Sequence, residues 1–363
     1  MTKVLHIVPG FSYGGIESRL LDWYNCMDTS EVKFDIVKAT HDDGNNKIAI
    51  ALQELGAHVY TVPSIKLTDF MPHCFSMRKL MQNNYDCVHC HSPLYGAIDL
   101  QIAKLCGVKT RILHARTSSY GNGSRSIFID RYMTRRAVRF ATDRFACSDL
   151  AAKWAFGTED NCVIIKNGTR TESFRFSDVL RTALRKQFGI SDNFVVGFVG
   201  RFTEAKNIPF LIKAFANAYE CNNDIRLVMA GDGPEFDDAK RIIDENGISN
   251  VVLMLGRSDN VNELLNAFDV LCLPSYYEGF PGVAIEAQAN GLPCMISDRV
   301  TASVKINDNV SFLPIDKAEL WSNMLLDTEH LVRVDNAIEN VRSHGYDIAT
   351  TAKWLEEFYH SKQ

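Results

Sequence analysis

Two carboxylates and a helix start lie close together in Tyr277-Glu278-Gly279-Phe280-Pro281-Gly282-Val283-Ala284-Ile285-Glu286-Ala287. Pro281 has the fixed φ that suits a first helical position, and Asn290-Gly291 with Pro293 beyond closes the segment. The apolar run before it, Asp269-Val-Leu-Cys-Leu-Pro274, is expected to be a buried parallel strand. A helix that begins just past such a strand turns unpaired N–H groups and a partial positive charge outward, which suits a phosphate. Glu278 at the loop mouth and Glu286 on the helix could then accept hydroxyls from two ends of one ligand. The plainer alternative is an N-cap acid followed by a solvated helix acid.

A second group of residues carries the opposite charge. Val196-Gly197-Phe198-Val199-Gly200 is strand-like and runs into Arg201, with Lys206 five residues on at a predicted helix start. Arginine offers a fork and lysine a point charge, a pairing suited to a diphosphate, although a plain surface loop would look the same. Ala230-Gly231-Asp232-Gly233-Pro234 repeats the strand-glycine-helix pattern. Pro9-Gly10-Phe11-Ser12-Tyr13-Gly14-Gly15 gives the first strand a glycine loop, where backbone can approach a ligand closely. The G-x-G-x-x-G fingerprint of a dinucleotide site is absent there, which argues against a dehydrogenase. His114 ends another strand-like run, at the edge where ligands of parallel sheets sit.

Cys87-Val88-His89-Cys90-His91 offers four metal-ligating side chains, but in a strand 87, 89 and 91 face one way and 90 the other. With no second Cys/His pair nearby in sequence, no metal is expected. Arg131, Arg135 and Arg139 recur every four residues in Ser126–Phe140, beside Arg136, and make a basic amphipathic helix. Such a helix could lie on an anionic membrane surface or hold a lipid diphosphate; a solvated arginine row is the alternative.

Strand-like runs that must position these residues occur at 4–8, 34–39, 59–62, 87–91, 110–114, 145–148 and 163–166, then at 194–200, 226–230, 251–255, 270–274 and 294–297. Helix-length segments separate them. The alternation predicts two doubly wound α/β domains, each a parallel sheet covered on both faces, joined near Asn167-Gly168. Ligands of such sheets lie outside the carboxyl ends of the strands, so two facing domains are expected to share a cleft. The chain has 363 residues, 46% hydrophobic and 23% charged, as a soluble globular protein does. No long apolar run or signal-peptide pattern is seen, so the expected compartment is the cytoplasm. The ten cysteines fall mostly in apolar runs and imply no disulfide framework. The net charge is −5, with residues 1–172 basic and the remainder acidic. That asymmetry puts an anionic partner near the first half; nucleic acid is not expected.

Gly14-Gly15-Ile16-Glu17, Val199-Gly200-Arg201 with Lys206-Asn207, Gly231-Asp232-Gly233-Pro234 and Pro274-Ser275 with Glu278-Gly279-Phe280-Pro281, Glu286-Ala287, Gly291 and Pro293 resemble the family-4 retaining glycosyltransferases of the GT-B fold. The bacterial enzymes of capsule, exopolysaccharide and O-antigen synthesis are the nearest in character. The resemblance implies two facing Rossmann-like domains with an interdomain cleft. Residues 1–172 would form the acceptor-side domain, 173–345 the nucleotide-sugar domain, and a final helix within 346–363 would cross back onto the first. It further implies that Arg201 and Lys206 hold the donor diphosphate, Glu286 the ribose hydroxyls, and Glu278 with the backbone of Gly279 and Phe280 the donor sugar. Gly15 would bring its N–H to the diphosphate, and His114 would contact the donor sugar; Arg116 departs from the residue usual two positions on. The donor is expected to be a UDP-sugar and the acceptor a saccharide, lipid-linked through a polyprenyl diphosphate, at the inner face of the membrane. The implied route is a front-face substitution in which the leaving diphosphate takes the acceptor's proton, with no cofactor. A nucleotide-sugar epimerase of the same fold and a catalytically silent sugar-nucleotide binder are the alternatives.

Overall fold

The computed structural model describes residues 1–9, 15–39, 46–116, 127–278 and 280–362. It divides into two compact units, Met1–Asn167 with Ile348–Gln363, and Gly168–Asp347. The first holds a seven-stranded sheet of β1 (Thr2–Val8), β2 (Val32–Lys38), β3 (His58–Thr61), β4 (Cys87–Cys90), β5 (Thr110–Ala115), β6 (Asp143–Ala146) and β7 (Val163–Ile164). The second holds β8 (Phe194–Val199), β9 (Ile225–Ala230), β10 (Val252–Gly256), β11 (Val270–Leu273), β12 (Cys294–Ser297) and β13 (Val310–Leu313). Their orders are β3-β2-β1-β4-β5-β6-β7 and β10-β9-β8-β11-β12-β13. Every pairing is parallel. Both sheets are therefore Rossmann-like, and each reverses its winding once, between β1 and β4 and between β8 and β11.

Central strands such as β8 and β11 are continuous apolar runs because both faces are covered. In β1, Val4 and Val8 pack on one side of the sheet with Leu20, Phe34 and Tyr359, while Leu5 and Ile7 pack on the other with Val88, Cys90 and Leu113. The helix Ile348–His360 belongs to the first unit and buries Ile348, Ala352, Leu355 and Tyr359 against β1 and β2. Strand β13 is an addition to the sequence reading: it is a short edge strand between Asn309 and Pro314, with only Val310 buried. The helix Ile127–Phe140 forms as expected, and Arg131, Arg135 and Arg139 are exposed. Arg136 corrects the expected basic row. Its guanidinium turns onto the helix Pro93–Leu105, donating to the Ala97 carbonyl at 3.2 Å and to the Gln101 side chain at 2.5 Å. All ten cysteines are free thiols.

Candidate functional site

The winding reversal of the second sheet brings one member of each charged group together, Lys206 and Glu278. Chain leaving β8 passes through Gly200, the exposed Arg201 and a single 3-10 turn, Glu204–Lys206; the helix Ile208–Cys221 starts two residues after Lys206. Chain leaving β11 passes through Ser275 to Glu278, and the next helix runs Gly282–Ala289. Pro281 is the N-cap of that helix, one residue before the first helical position. The Tyr276 N–H donates to the Ala205 carbonyl at 2.8 Å and ties the two loops. Lys206 Nζ then donates to Glu278 Oε1 in an ion pair, and the same oxygen accepts from Ser275 Oγ at 2.7 Å. The Lys206 and Glu278 side chains retain only 17% and 11% exposure, so water screens this pair less than a surface one.

The glycines shape this corner. Gly231 has φ +147°, and a Cβ there would stand 1.8 Å from the Gly200 carbonyl oxygen; at Gly233 it would meet the Phe202 carbonyl at 2.3 Å. The chains after β8 and β9 can pass this closely only without side chains at 231 and 233. Phe202 N–H donates to the Asp232 carbonyl at 2.7 Å and locks that approach. Glu286 lies on the helix at intermediate burial, and the Phe280 ring stacks on Tyr346 at 5.4 Å. Gln288 pins the helix end by donating to the Val304 carbonyl and accepting from the Ile306 and Asn307 N–H groups. Gly279 lies outside the described residues. The joint role of Lys206 and Glu278 was not visible in sequence, where one was assigned to phosphate and the other to sugar. The hydroxyl of Ser275, quoted only as part of a motif, is the residue that steadies the carboxylate.

In the first unit, Gly15 is the first residue of the helix Gly15–Asn25, and the loop 10–14 before it lies outside the described residues. His114 is fully buried near the end of β5, in a cluster that sequence reasoning missed. Strand alternation puts His6, His89, His91 and His114 on one face of the sheet, and Trp23 stacks across His89 and His114. Burial, reinforced by the nearby Arg116 charge, pushes the His6 imidazole down to about 3 and holds His89, His91 and His114 well below their usual range. All four are neutral at pH 7. Arg116, brought down to about 10 by burial, stays cationic and lies over the Trp23 ring at 5.3 Å.

One nitrogen each of His6, His89 and His91 lies within 4.8 Å of the others, which revives the metal question from residues that sequence did not bring together. His6 and His91 spend one nitrogen each on their mutual contact, Nδ1 to Nε2 at 3.0 Å. His89 also has both nitrogens in hydrogen bonds, to Tyr359 and His114.

A concavity of about 1210 Å³ opens at the carboxyl ends of β1 to β4. Its wall is mostly apolar, including Pro9, Pro63, Phe70, Leu94, Ile129 and Met133. Leu67, Met71 and Phe75 are exposed close by in sequence. Among the described residues no helix is long and apolar enough to cross a membrane.

Two Rossmann-like units, with cations at the winding reversal of the second, define a GT-B protein. The family model described as glycosyl transferases group 1 matches residues 181–325, which span the Arg201, Lys206 and Glu278 corner. The putative glycosyltransferase EpsF of Bacillus subtilis is 32% identical over 83% of this chain and 80% of its own. The UDP-Gal:alpha-D-GlcNAc-diphosphoundecaprenol alpha-1,3-galactosyltransferase of Escherichia coli is 28% identical over 65% of this chain and 64% of its own. Among solved structures, HepE of Anabaena in complex with UDP superposes with a TM-score of 0.82 over 99% of this chain and 100% of that one, at 19% identity. The chain belongs to the group 1 glycosyltransferase family and is a glycosyltransferase of GT-B fold.

Proposed function

We propose that the protein is a retaining glycosyltransferase that moves a sugar from a UDP-sugar to a saccharide carried on a polyprenyl diphosphate, in the synthesis of a surface polysaccharide. The observation that carries this reading is the Arg201, Lys206 and Glu278 corner, at the place in a doubly wound sheet where ligands collect. A donor diphosphate is a better partner for Lys206 than a single carboxylate, because it spreads two charges over several acceptors. On binding, Lys206 would turn to the phosphate with Arg201, leaving Glu278, steadied by Ser275, to accept a sugar hydroxyl. Charge that builds on the leaving diphosphate is then met by cations already in place. Glu286 takes the ribose hydroxyls, and the backbone of Gly15, Gly279 and Phe280 together with His114 completes the donor contacts. No metal or cofactor enters this scheme.

The UDP donor is supported by the UDP in the HepE complex and by the name of the Escherichia coli relative, whose acceptor is a diphosphoundecaprenol-linked sugar. An apolar concavity beside a basic helix in the first unit supports an acceptor with a hydrocarbon tail and an anionic head. It also supports a cytoplasmic protein resting on the inner face of the membrane. Incubation with UDP-, GDP- and ADP-sugars, alone and with a polyprenyl-diphosphate-linked saccharide, tests the proposal. Slow UDP-sugar hydrolysis and transfer with the anomeric configuration kept are expected. An inverted product refutes retention, an isomerised donor makes the protein an epimerase, and binding without turnover makes it a silent binder.

A further inference from the structure

We propose that His89 and Tyr359 are positioning residues for His114. They complete a one-way chain of hydrogen bonds from Arg116 that fixes His114 with Nδ1 protonated and Nε2 bare. The inference rests on the proposed contact between His114 and the donor sugar, and it goes further by stating which atom makes that contact and in which sense.

The direction of the chain follows from the donor inventory. A guanidinium has donors only, so where Arg116 Nη1 meets His114 Nε2 at 3.4 Å the imidazole nitrogen must accept. A neutral imidazole that accepts at Nε2 carries its proton on Nδ1, and His114 Nδ1 lies 3.1 Å from His89 Nε2. His89 Nε2 must then accept, its proton is on Nδ1, and that N–H donates to the Tyr359 hydroxyl at 2.7 Å. Each tautomer is set by the one before it. His89, His114 and Tyr359 are all 0% exposed, so water does not compete for these bonds, and buried polar groups joined in series strengthen one another. The remaining pair, His6 Nδ1 and His91 Nε2 at 3.0 Å, lies beside the chain, with His91 stacked on His89, and takes no part in it.

A sugar hydroxyl arriving at Nε2 would find an acceptor. His114 therefore orients the sugar by accepting a hydrogen bond and has no proton at Nε2 to give. Tyr359 lies on the helix Ile348–His360, so this helix supplies the acceptor on which the chain from β5 ends.

Two measurements test this. Long-range proton–nitrogen spectra of ligand-free protein labelled in histidine, with His114 assigned by the loss of its signals in His114→Gln, should show Nδ1 protonated and Nε2 bare at pH 7.5. The opposite tautomer, or an imidazolium, overturns the proposal without touching the proposed function. The second compares His89→Gln, which keeps an acceptor toward His114 and a donor toward Tyr359, with His89→Leu, which keeps bulk and neither. Loss of one buried hydrogen bond corresponds to roughly tenfold. The Leu variant should lose about that in kcat with the donor KM unchanged, and the Gln variant should recover most of it. Equal losses in both, or none in either, overturn the positioning role. Failure of the wild type to turn over any donor would count against the proposed function and leave the tautomer result standing.

Discussion

Acid should loosen the first unit well before the second. His6, His89, His91 and His114 are held neutral in the folded protein, with values below the ~6.5 of an unfolded chain. Below pH 6.5 the unfolded chain binds protons that the folded one refuses, so stability falls from there down to the folded-state values, about 3 for His6. At pH 5.5 an unfolded histidine is about nine-tenths protonated, which costs the folded state roughly 1.4 kcal/mol per residue and about 6 kcal/mol for the four. That is a large share of a typical domain stability of roughly 5–15 kcal/mol. His73 works in the other direction. It donates to Asp99 at 2.8 Å and to the Pro63 carbonyl at 2.7 Å; burial opposes its charge, but these partners raise its pKa on balance, so it gains stability as pH falls and offsets part of the loss. The second unit is a control in the same molecule, because its histidines, His330 and His344, are exposed. Amide hydrogen exchange at pH 7.5, 6.5 and 5.5, corrected for intrinsic rates, reads each unit separately. Opening free energies for β1, β4 and β5 should drop by several kcal/mol, while those for β8 and β11 change little. Equal responses in the two units would refute the argument.

Arg201→Ala or Lys206→Ala should each cut turnover by about 10²–10³, or roughly 2–4 kcal/mol of transition-state stabilisation, with circular dichroism unchanged; a variant that keeps most of its turnover removes that residue from the site. Gly231→Ala forces a Cβ against the Gly200 carbonyl and should lower stability by about 1–3 kcal/mol in a urea melt while weakening donor binding, since Arg201 follows Gly200. Replacing Arg131, Arg135 and Arg139 together by Ala should weaken co-sedimentation with anionic vesicles by roughly 3 kcal/mol, more than a hundredfold, and leave donor hydrolysis unchanged. Equal binding of the wild type to neutral vesicles would make this an ordinary solvated helix. Elemental analysis of protein purified without added metal should find less than about one zinc or iron per ten chains, and stoichiometric metal would overturn the assignment of these histidine nitrogens to hydrogen bonds.

Most strands could be read from the chain as short apolar or β-branched runs, the central ones because both faces of the sheet are covered, and twelve of the thirteen are visible that way. β13, Val-Ser-Phe-Leu at the sheet edge, was not. The site residues Arg201, Lys206 and Glu278 could be singled out by their places after strands, but their union could not. Lys206 and Glu278 are brought together by the order β8-β11, which depends on how the sheet is wound, and local spacing does not carry that. The histidine cluster failed for a related reason. His6 is one polar residue inside Val-Leu-His-Ile-Val, with no neighbour to give it meaning. The one available signal was parity: His6, His89, His91 and His114 all occupy positions that strand alternation turns toward the same covered face.

The helix Ile348–His360 also bears on how the chain is made. It completes the core around Val4, Leu20 and Phe34, yet it leaves the ribosome only after the whole of the second unit. Between Asn167 and Ile348 lies the whole of the second unit, an uninterrupted segment that can fold as soon as it emerges. At roughly 5–20 residues per second, some 180 residues amount to an interval of about 10–40 s in which the first unit must hold its β1 and β2 face uncovered. During synthesis the N-terminal unit is thus the later of the two to be finished, and the face awaiting its last helix is where a chaperone has the longest opportunity to bind.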